Sequence, residues 1–396
     1  MFIIIMGLLK GEERTIAEGN QIPSDEFAKL SQMRMVRTIH PVGQGAFYSE
    51  RFVDSDGKTV FLAVYDCGST NRKKLNYEIE GYFHEDDVID LLFISHLDND
   101  HVNGVQKLLE RQVPVKHLVL PFMDNNTKSL YLLAGKGVIK QLVQDPKSLF
   151  KGCKVIYVKP VNKDLEDLEP FELNDDNPEE EYIPSGTSIL YGKVGDWCYV
   201  PYNYEYSEGH EQLLQGLGYA KVDIEDIINV QSRKELKEKY TQICSNGVNN
   251  TSLVVFSGGC SDKVEYNSRL LSHNLCAANI NEGSLYLGDI DLNQKVSSLD
   301  LMDDMLKRLE SVSGHIGLVQ LPHHGAKQNF NSGLFSIGHY PKVYFASYGN
   351  SNIYKHPSPR VWEEVCSHGM LCCGIDENRQ STLTQAVGIN SKNKNV

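Results

Sequence analysis

The feature that most constrains the fold of this chain is an apolar strand that ends in a cluster of histidines and aspartates. Leu91 to Ile94 predicts a buried strand, and His96, Asp98, Asp100 and His101 follow it within six residues. Burying such groups together costs free energy unless something compensates them. Imidazole and carboxylate are typical ligands of divalent metals, so the stretch predicts a metal site at a strand end. The alternative is a polar turn in which the histidines have no function. The recurrence of similar residues at other predicted strand ends argues against this alternative.

Ligand-type residues recur at other predicted strand ends. The strand Val60 to Tyr65 ends at Asp66, and a later strand ends in Gly288-Asp289. Another apolar run, Ile316 to Leu321, leads into Pro322-His323-His324-Gly325. Loops at strand ends are where α/β scaffolds place their chemistry. We therefore expect these residues to converge, with Asp66 as an acceptor that orients a histidine ligand.

The alternation of strand and helix patterns predicts a layered α/β fold. We expect a poorly structured leader at 1–35 and one main domain at 36–370. Residues 160–245 are rich first in acids and then in aromatics, and they predict an insertion. The C-terminal part, 371–396, predicts a strand followed by a polar tail.

Composition limits the partners of the chain. The formal net charge is -13, which argues against broad adhesion to nucleic acid or to an anionic membrane. It does not exclude a phosphate-bearing substrate, because bound metals change the field locally. The nine cysteines include no C-x-x-C pair, which favours a reducing compartment. Since no segment has transmembrane length, we expect a cytoplasmic protein without a membrane partner.

Several motifs occur in a fixed order around these strand ends. Besides the H-x-D-x-D-H cluster and the Pro-His-His-Gly turn, they are Gly43-Gln44-Gly45, Asn249-Asn250-Thr251-Ser252, Leu287-Gly288-Asp289 and Asn352 to Pro357. Together they resemble the metallo-β-lactamase superfamily of hydrolases. Within it, the pattern is most similar to the nuclease-like domain of bacterial competence DNA-uptake proteins. The resemblance implies a four-layer αββα sandwich with an inserted segment.

The resemblance also implies roles for individual residues. His96 and Asp98 would hold one metal ion, Asp100 and His101 a second, and Asp289 would bridge them. The last ligand would be His324, directly before the glycine, rather than His323. Asp66 and Asn249 would orient the ligands without contacting the metal. The implied ligand set is His96, Asp98, Asp100, His101, Asp289 and His324.

Two departures from the family pattern affect the metal. Many members have a further histidine ligand in a G-H-T turn, where this chain has Gly247-Val248-Asn249. The first site is therefore poor in ligands. Asp98 replaces a histidine and supplies a hard oxygen donor, which shifts the preference from zinc alone towards manganese. We expect one or two divalent ions, manganese or zinc.

Paired cations with oxygen-rich ligands favour hydrolysis of a phosphodiester by a metal-activated hydroxide. The expected substrate is nucleic acid or a nucleotide-type diester. Asp100 or Asp289 would hold the attacking group, and His356 and Lys327 would contact the phosphate or the leaving group. Two alternatives stay open. The chain could hydrolyse a lactone or thioester, or it could be a degenerate metal-binding module that serves an operon-encoded partner in defence or uptake. A basic strip for a polymer is not visible in the sequence.

Overall fold

The computed structural model describes residues 33–123, 125–134, 136–160, 168–174, 176–204, 252–261, 263–272, 275–278, 280–296, 299–338 and 342–391. The strands of this part are β1 (Met33–Ile39), β2 (Phe47–Asp54), β3 (Thr59–Cys67), β4 (Ile89–Phe93), β5 (Val115–Pro121), β6 (Lys154–Lys159), β7 (Phe171–Glu172), β8 (Glu180–Pro184), β9 (Ile189–Leu190), β10 (Trp197–Tyr202), β11 (Val254–Gly259), β12 (Val264–Ser272), β13 (Leu275–Ala278), β14 (Gly283–Tyr286), β15 (Lys295–Val296), β16 (Leu299–Asp300), β17 (Ile316–Gln320), β18 (Val343–Ser347), β19 (Leu371–Ile375) and β20 (Leu383–Ser391). Its α-helices are α1 (Arg72–Tyr82), α2 (Asn99–Val102), α3 (Val105–Glu110), α4 (Asn125–Ala134), α5 (Val138–Gln144), α6 (Leu301–Arg308), α7 (Glu310–Ser313) and α8 (Pro359–Ser367).

Two large sheets carry the fold. The first has ten strands in the order β13-β12-β20-β1-β2-β3-β4-β5-β6-β8, and the second has eight in the order β19-β18-β17-β14-β11-β10-β9-β7. Strands β3, β4, β5, β6 and β8 run parallel, as do β14, β17, β18 and β19. Each sheet therefore has a block of parallel strands whose carboxyl ends lie at one edge, where α/β folds place their sites.

Three apolar cores separate four layers. The middle core lies between the sheets and includes Phe93 of the first sheet and Phe345 of the second. One outer core packs helices α1 to α5 on the first sheet, and the other packs α6 and α8 on the second. Helix, sheet, sheet and helix thus stack in order. The predicted α/β class and four-layer αββα sandwich are confirmed.

Strand β4 shows why the opening motif forms a strand. Its five residues are all buried, and from Leu91 onwards the side chains alternate between two cores. Leu91 and Phe93 pack into the core between the sheets, and Leu92 and Ile94 into the helix-side core. This period of two is what a strand covered on both faces requires. After this apolar run the chain leaves the sheet and enters the metal-ligand cluster.

A buried ion pair between neighbouring strands of the first sheet lies in the core between the sheets. Arg37 of β1 and Glu50 of β2 are fully enclosed, with Nε 2.8 Å from Oε1. The Arg37 guanidinium also donates to the carbonyl oxygens of Glu282 and Ser257 in the region of the second sheet. Glu50 accepts from the Tyr199 hydroxyl at 2.8 Å. Because each charge is compensated by several partners, the pair ties the two sheets together without an uncompensated ion.

The segments predicted outside the main domain lie as follows. Strand β1 begins at Met33, inside the expected leader, whose residues 1–32 lie outside the described part. Within the expected insertion, the described residues supply β7 to β10 to the two sheets, and 205–245 lie outside the described part. The C-terminal part supplies β19 and β20. None of the helices in the described ranges is long and apolar enough to cross a membrane.

Candidate metal centre

Carboxyl ends of strands from both sheets bring the predicted ligands together. Asp66 lies at the end of β3, and the loop after β4 carries His96, Asp100 and His101. From the second sheet, Asp289 follows β14, and the loop after β17 carries His323 and His324. Within each sheet these strands are parallel neighbours. The two sheets therefore meet at one edge with their polar loops in contact.

The described part of the chain contains two groups of ligand-type atoms. Within each group, all the atoms lie within 4.8 Å of one another. One is formed by His96, His101 and Asp289, and the other by Asp100, His101 and His324. The groups share His101, so they adjoin. This arrangement can hold one or two cations.

Asp289 lies at the middle of the centre. Its Oδ1 is 3.3 Å from Nε2 of His101 and 3.9 Å from Nε2 of His324. Its Oδ2 is 3.7 Å from Nε2 of His96 and 3.6 Å from Nε2 of His323. Each carboxylate oxygen thus faces a different pair of imidazoles, as a bridging ligand would.

The inward-facing atoms have no hydrogen-bond partner among the described residues. They are Nε2 of His96, His101 and His324, and Oδ1 of Asp289, all buried. An unpartnered buried polar atom costs about 1–3 kcal/mol. Four such atoms in two adjoining groups are explained by bound cations, for which neutral imidazole and carboxylate are suitable donors. The residues present therefore fit a divalent metal.

Hydrogen bonds on the far side of the rings set the orientation of the ligands. Nδ1 of His101 lies 2.7 Å from Oδ2 of Asp66, which also accepts from the Ser95 hydroxyl. Nδ1 of His324 donates to the carbonyl oxygen of Ser347 at 2.8 Å. When Nδ1 carries the proton in both rings, each Nε2 keeps a free lone pair directed into the centre.

His96 is held by two hydroxyls. Its Nδ1 lies 2.9 Å from Oγ of Ser95 and 3.1 Å from Oγ of Ser252. Ser252 also accepts the backbone N–H of Asp289, so one hydroxyl links ligands from the two sheets. Our sequence reasoning did not assign Ser95 or Ser252 a role, nor Ser347. The sequence feature that could have indicated their roles is that they lie beside predicted strand ends, with Ser95 directly before His96.

Two glycines permit the close approach of the loops. Gly288 has φ of +54°, and a Cβ there would lie 2.9 Å from the Ser252 side chain. Gly325 has φ of +82°, and a Cβ there would lie 2.7 Å from Cβ of Pro357. His324 itself is left-handed at φ +57°, a conformation that is strained for a non-glycine residue and concentrates at functional sites. These positions explain the Gly-Asp and His-His-Gly motifs.

Burial and charge act in opposite directions on the histidines. Burial, together with the neighbouring His101, lowers the pKa of His96 to about 3, so His96 is neutral at pH 7. Burial also lowers the pKa of His101, but Asp289 and Asp66 outweigh it and raise that pKa well above the usual value. Protons and a cation therefore compete for the His101 side of the centre.

The carboxylates show the complementary shifts. Burial opposes ionisation of Asp289, but His323, His101 and His324 outweigh it and hold its pKa well below the usual range. The pKa of Asp100 is also lowered, because His324 overcomes the effect of burial. Both carboxylates are therefore ionised at neutral pH and available as ligands.

The remaining predicted residues lie at different distances from the centre. Asp98 is half-buried before helix α2 and belongs to neither ligand group. The His356 ring centroid lies 5.7 Å from that of His323, at the rim of the centre. Lys327 is exposed, three residues after His324. Asn249 lies outside the described residues.

No protein family and no curated protein matches the sequence. Among solved structures, the chain is similar to a long-form RNase Z from yeast, with 10% identity and a TM-score of 0.37 over 88% of this chain and 44% of that chain. It is similar to the metallo-beta-lactamase fold protein YhfI from Bacillus subtilis, with 10% identity and a TM-score of 0.34 over 89% and 99%. It is also similar to unliganded yeast PDE1, with 10% identity and a TM-score of 0.38 over 90% and 99%. The chain thus spans less than half of the yeast RNase Z.

Proposed function

We propose that this chain is a metal-dependent phosphodiesterase that acts on nucleic acid or on a nucleotide-type diester. The observation that carries the proposal is that Nε2 of His96, His101 and His324 and Oδ1 of Asp289 are buried without a hydrogen-bond partner and belong to two adjoining ligand groups. A purely structural polar cluster would pair these atoms with one another or with the backbone. The motif resemblance to the competence branch supports the same reaction class.

His96 and Asp289 would hold one ion, and Asp100 and His324 the adjoining one. His101, which belongs to both groups, would bind one of the two ions through the single lone pair of its Nε2. Imidazole and carboxylate donors in this proportion suit manganese or zinc. When bound, such ions neutralise charge on phosphoryl oxygens and lower the pKa of water. The ligands would keep a fixed geometry because Asp66, Ser95 and Ser347 hold the rings from behind.

The other polar residues at the rim would act on the substrate. Asp100 is partly exposed and accessible to a proton from the attacking group, while Asp289 is deeply buried. Burial lowers the pKa of His356 to about 4, so it would contact a phosphate or leaving-group oxygen as a neutral N–H donor. Lys327, exposed beside the histidine turn, would supply a positive charge to the leaving side.

The test uses purified protein stripped of metal by a chelator. Addition of manganese or zinc is expected to restore hydrolysis of bis-(p-nitrophenyl) phosphate. His101→Ala and Asp289→Ala are expected to lose this activity, whereas the control His84→Ala, at an exposed histidine away from the centre, keeps it. No turnover with any divalent metal would contradict the proposal, as would hydrolysis of a lactone or thioester but of no diester.

A further inference from the structure

A polar groove lies along the helices that follow the predicted metal-ligand loop. It has a volume of about 540 Å³ and lies between α1, the helical run α2–α3 and the start of α5. Its lining includes Asn99, which stands between Asp98 and Asp100 in the metal-ligand loop. Asn99 is exposed. Because it lines the groove, one end of the groove lies at the loop that carries the predicted ligands.

The groove has the opposite charge balance to the whole chain. Its lining contains the cations Arg72, Lys107 and Lys136 and the single acid Glu110, in a protein of formal net charge -13. Lys107 is paired with Glu80 outside the groove. Arg72 and Lys136 are exposed and line the groove from two different segments, the start of α1 and the residues before α5. Exposed cations that line one polar groove can bind successive anionic groups of a ligand that lies in it.

The shape of the groove indicates an extended ligand. Asn99, Asn103, Gln106 and Glu110 line it at intervals of three or four residues, which is one face of a helix. The backbone stays helical through Asn103 and Gly104, so this face is continuous. With a rise of 1.5 Å per residue, the lined face is ~16 Å long. At ~3.4 Å per stacked nucleotide, this length accommodates about five nucleotides.

We infer that this groove binds the backbone of single-stranded nucleic acid and guides it to the metal centre. Arg72 and Lys136 would contact phosphates, and the amides of Asn99 and Gln106 would contact sugar or phosphate oxygens without reading the sequence. The inference rests on the proposed function and deepens it, because it selects a polymer rather than a small diester. The sequence shows no continuous basic strip because the cations of the groove, Arg72, Lys107 and Lys136, come from three separate segments.

The test measures binding without catalysis. A fluorescein-labelled dT12 oligonucleotide is titrated with metal-stripped full-length protein in chelator, and anisotropy is followed at several salt concentrations. We expect saturable binding that weakens with salt. The variant R72A/K136A should lower the slope of log K against log [salt] by ~1.4, at ~0.7 per phosphate contact. At 0.1 M salt this corresponds to binding that is about 25-fold weaker. K58A/K151A removes the same charge at two exposed lysines elsewhere and should bind as the unmodified protein does.

The outcomes separate this inference from the proposed function. If the groove and control variants bind equally, or if the unmodified protein does not bind dT12, the groove inference is overturned while diester hydrolysis is unaffected by the result. Loss of binding confined to R72A/K136A supports it. Circular dichroism of each variant, and the charge reversal R72E/K136E with a larger expected loss, guard against an effect of misfolding. The hydrolysis assay on bis-(p-nitrophenyl) phosphate tests the proposed function independently, because that substrate is too short to occupy the groove.

Discussion

Asp66 is expected to control metal binding without touching the metal. It is fully buried and accepts three hydrogen bonds, from the Ser95 backbone N–H at 2.7 Å, from the Ser95 hydroxyl at 2.6 Å and from Nδ1 of His101 at 2.7 Å. The substitution Asp66→Asn preserves the size of the side chain. It replaces one acceptor oxygen with an NH₂ group, which cannot accept a hydrogen bond from Nδ1–H of His101.

His101 can relieve this conflict by moving its proton from Nδ1 to Nε2. The Nε2 lone pair, which is unpartnered in the structure, would then no longer be available to a metal. Removing such an orienting partner typically lowers metal affinity by about 10–100-fold, or ~1.4–2.7 kcal/mol. We therefore expect Asp66→Asn to weaken manganese or zinc binding by this amount and to leave the fold intact.

The assay is isothermal titration of metal-stripped protein at pH 7, with urea unfolding measured in parallel. Asp90→Asn is the matched control, since Asp90 is also buried and accepts the Leu62 backbone N–H, but lies at the other end of β4. Asp90→Asn should bind metal normally. If Asp66→Asn binds metal as tightly as the unmodified protein, the tautomer argument is refuted.

Three further outcomes are expected. Glu50→Gln should lower the free energy of unfolding by about 3–5 kcal/mol in urea titrations, because it leaves the buried Arg37 charge without its counterion. Burial lowers the pKa of His40 to about 3, so the unfolded chain binds a proton that the folded chain excludes. The contribution of His40 to the free energy of unfolding is therefore complete above the unfolded pKa of ~6.5 and is lost as the pH falls, by about 2 kcal/mol at pH 5. In urea titrations, His40→Gln should lose less unfolding free energy between pH 7 and pH 5 than the unmodified protein does. Asp98→Ala should weaken metal binding less than His101→Ala in calorimetry, since His101 belongs to both ligand groups and Asp98 to neither.

Each of these expectations has a clear contrary result. The Arg51–Asp87 pair is only partly enclosed, so Asp87→Asn should cost less than Glu50→Gln, and the reverse order would contradict the argument from burial. An unchanged loss of stability between pH 7 and 5 in His40→Gln would show that this ring does not titrate as its burial indicates. Equal effects of Asp98→Ala and His101→Ala would place Asp98 among the ligands.

The strand ends and their chemistry could be predicted from the sequence because both are local properties. An apolar run such as Leu91 to Ile94 indicates a strand that is buried on both faces, and the polar residues after it indicate a loop. The same reasoning located Asp66, Asp289 and the His323-His324 turn, all of which the structure brings to one edge of the sandwich.

The tertiary structure decided everything that depends on the distance between loops. It joined the ligands into two groups that share His101, left Asp98 outside both, and placed Ser252 between His96 and Asp289. It also aligned cations from three segments along one groove. These distances follow from the order of strands in two packed sheets, which no short stretch of sequence encodes. The chain thus determines by itself which residues could bind a metal, while the packing of the sheets determines which of them lie close enough to do so together.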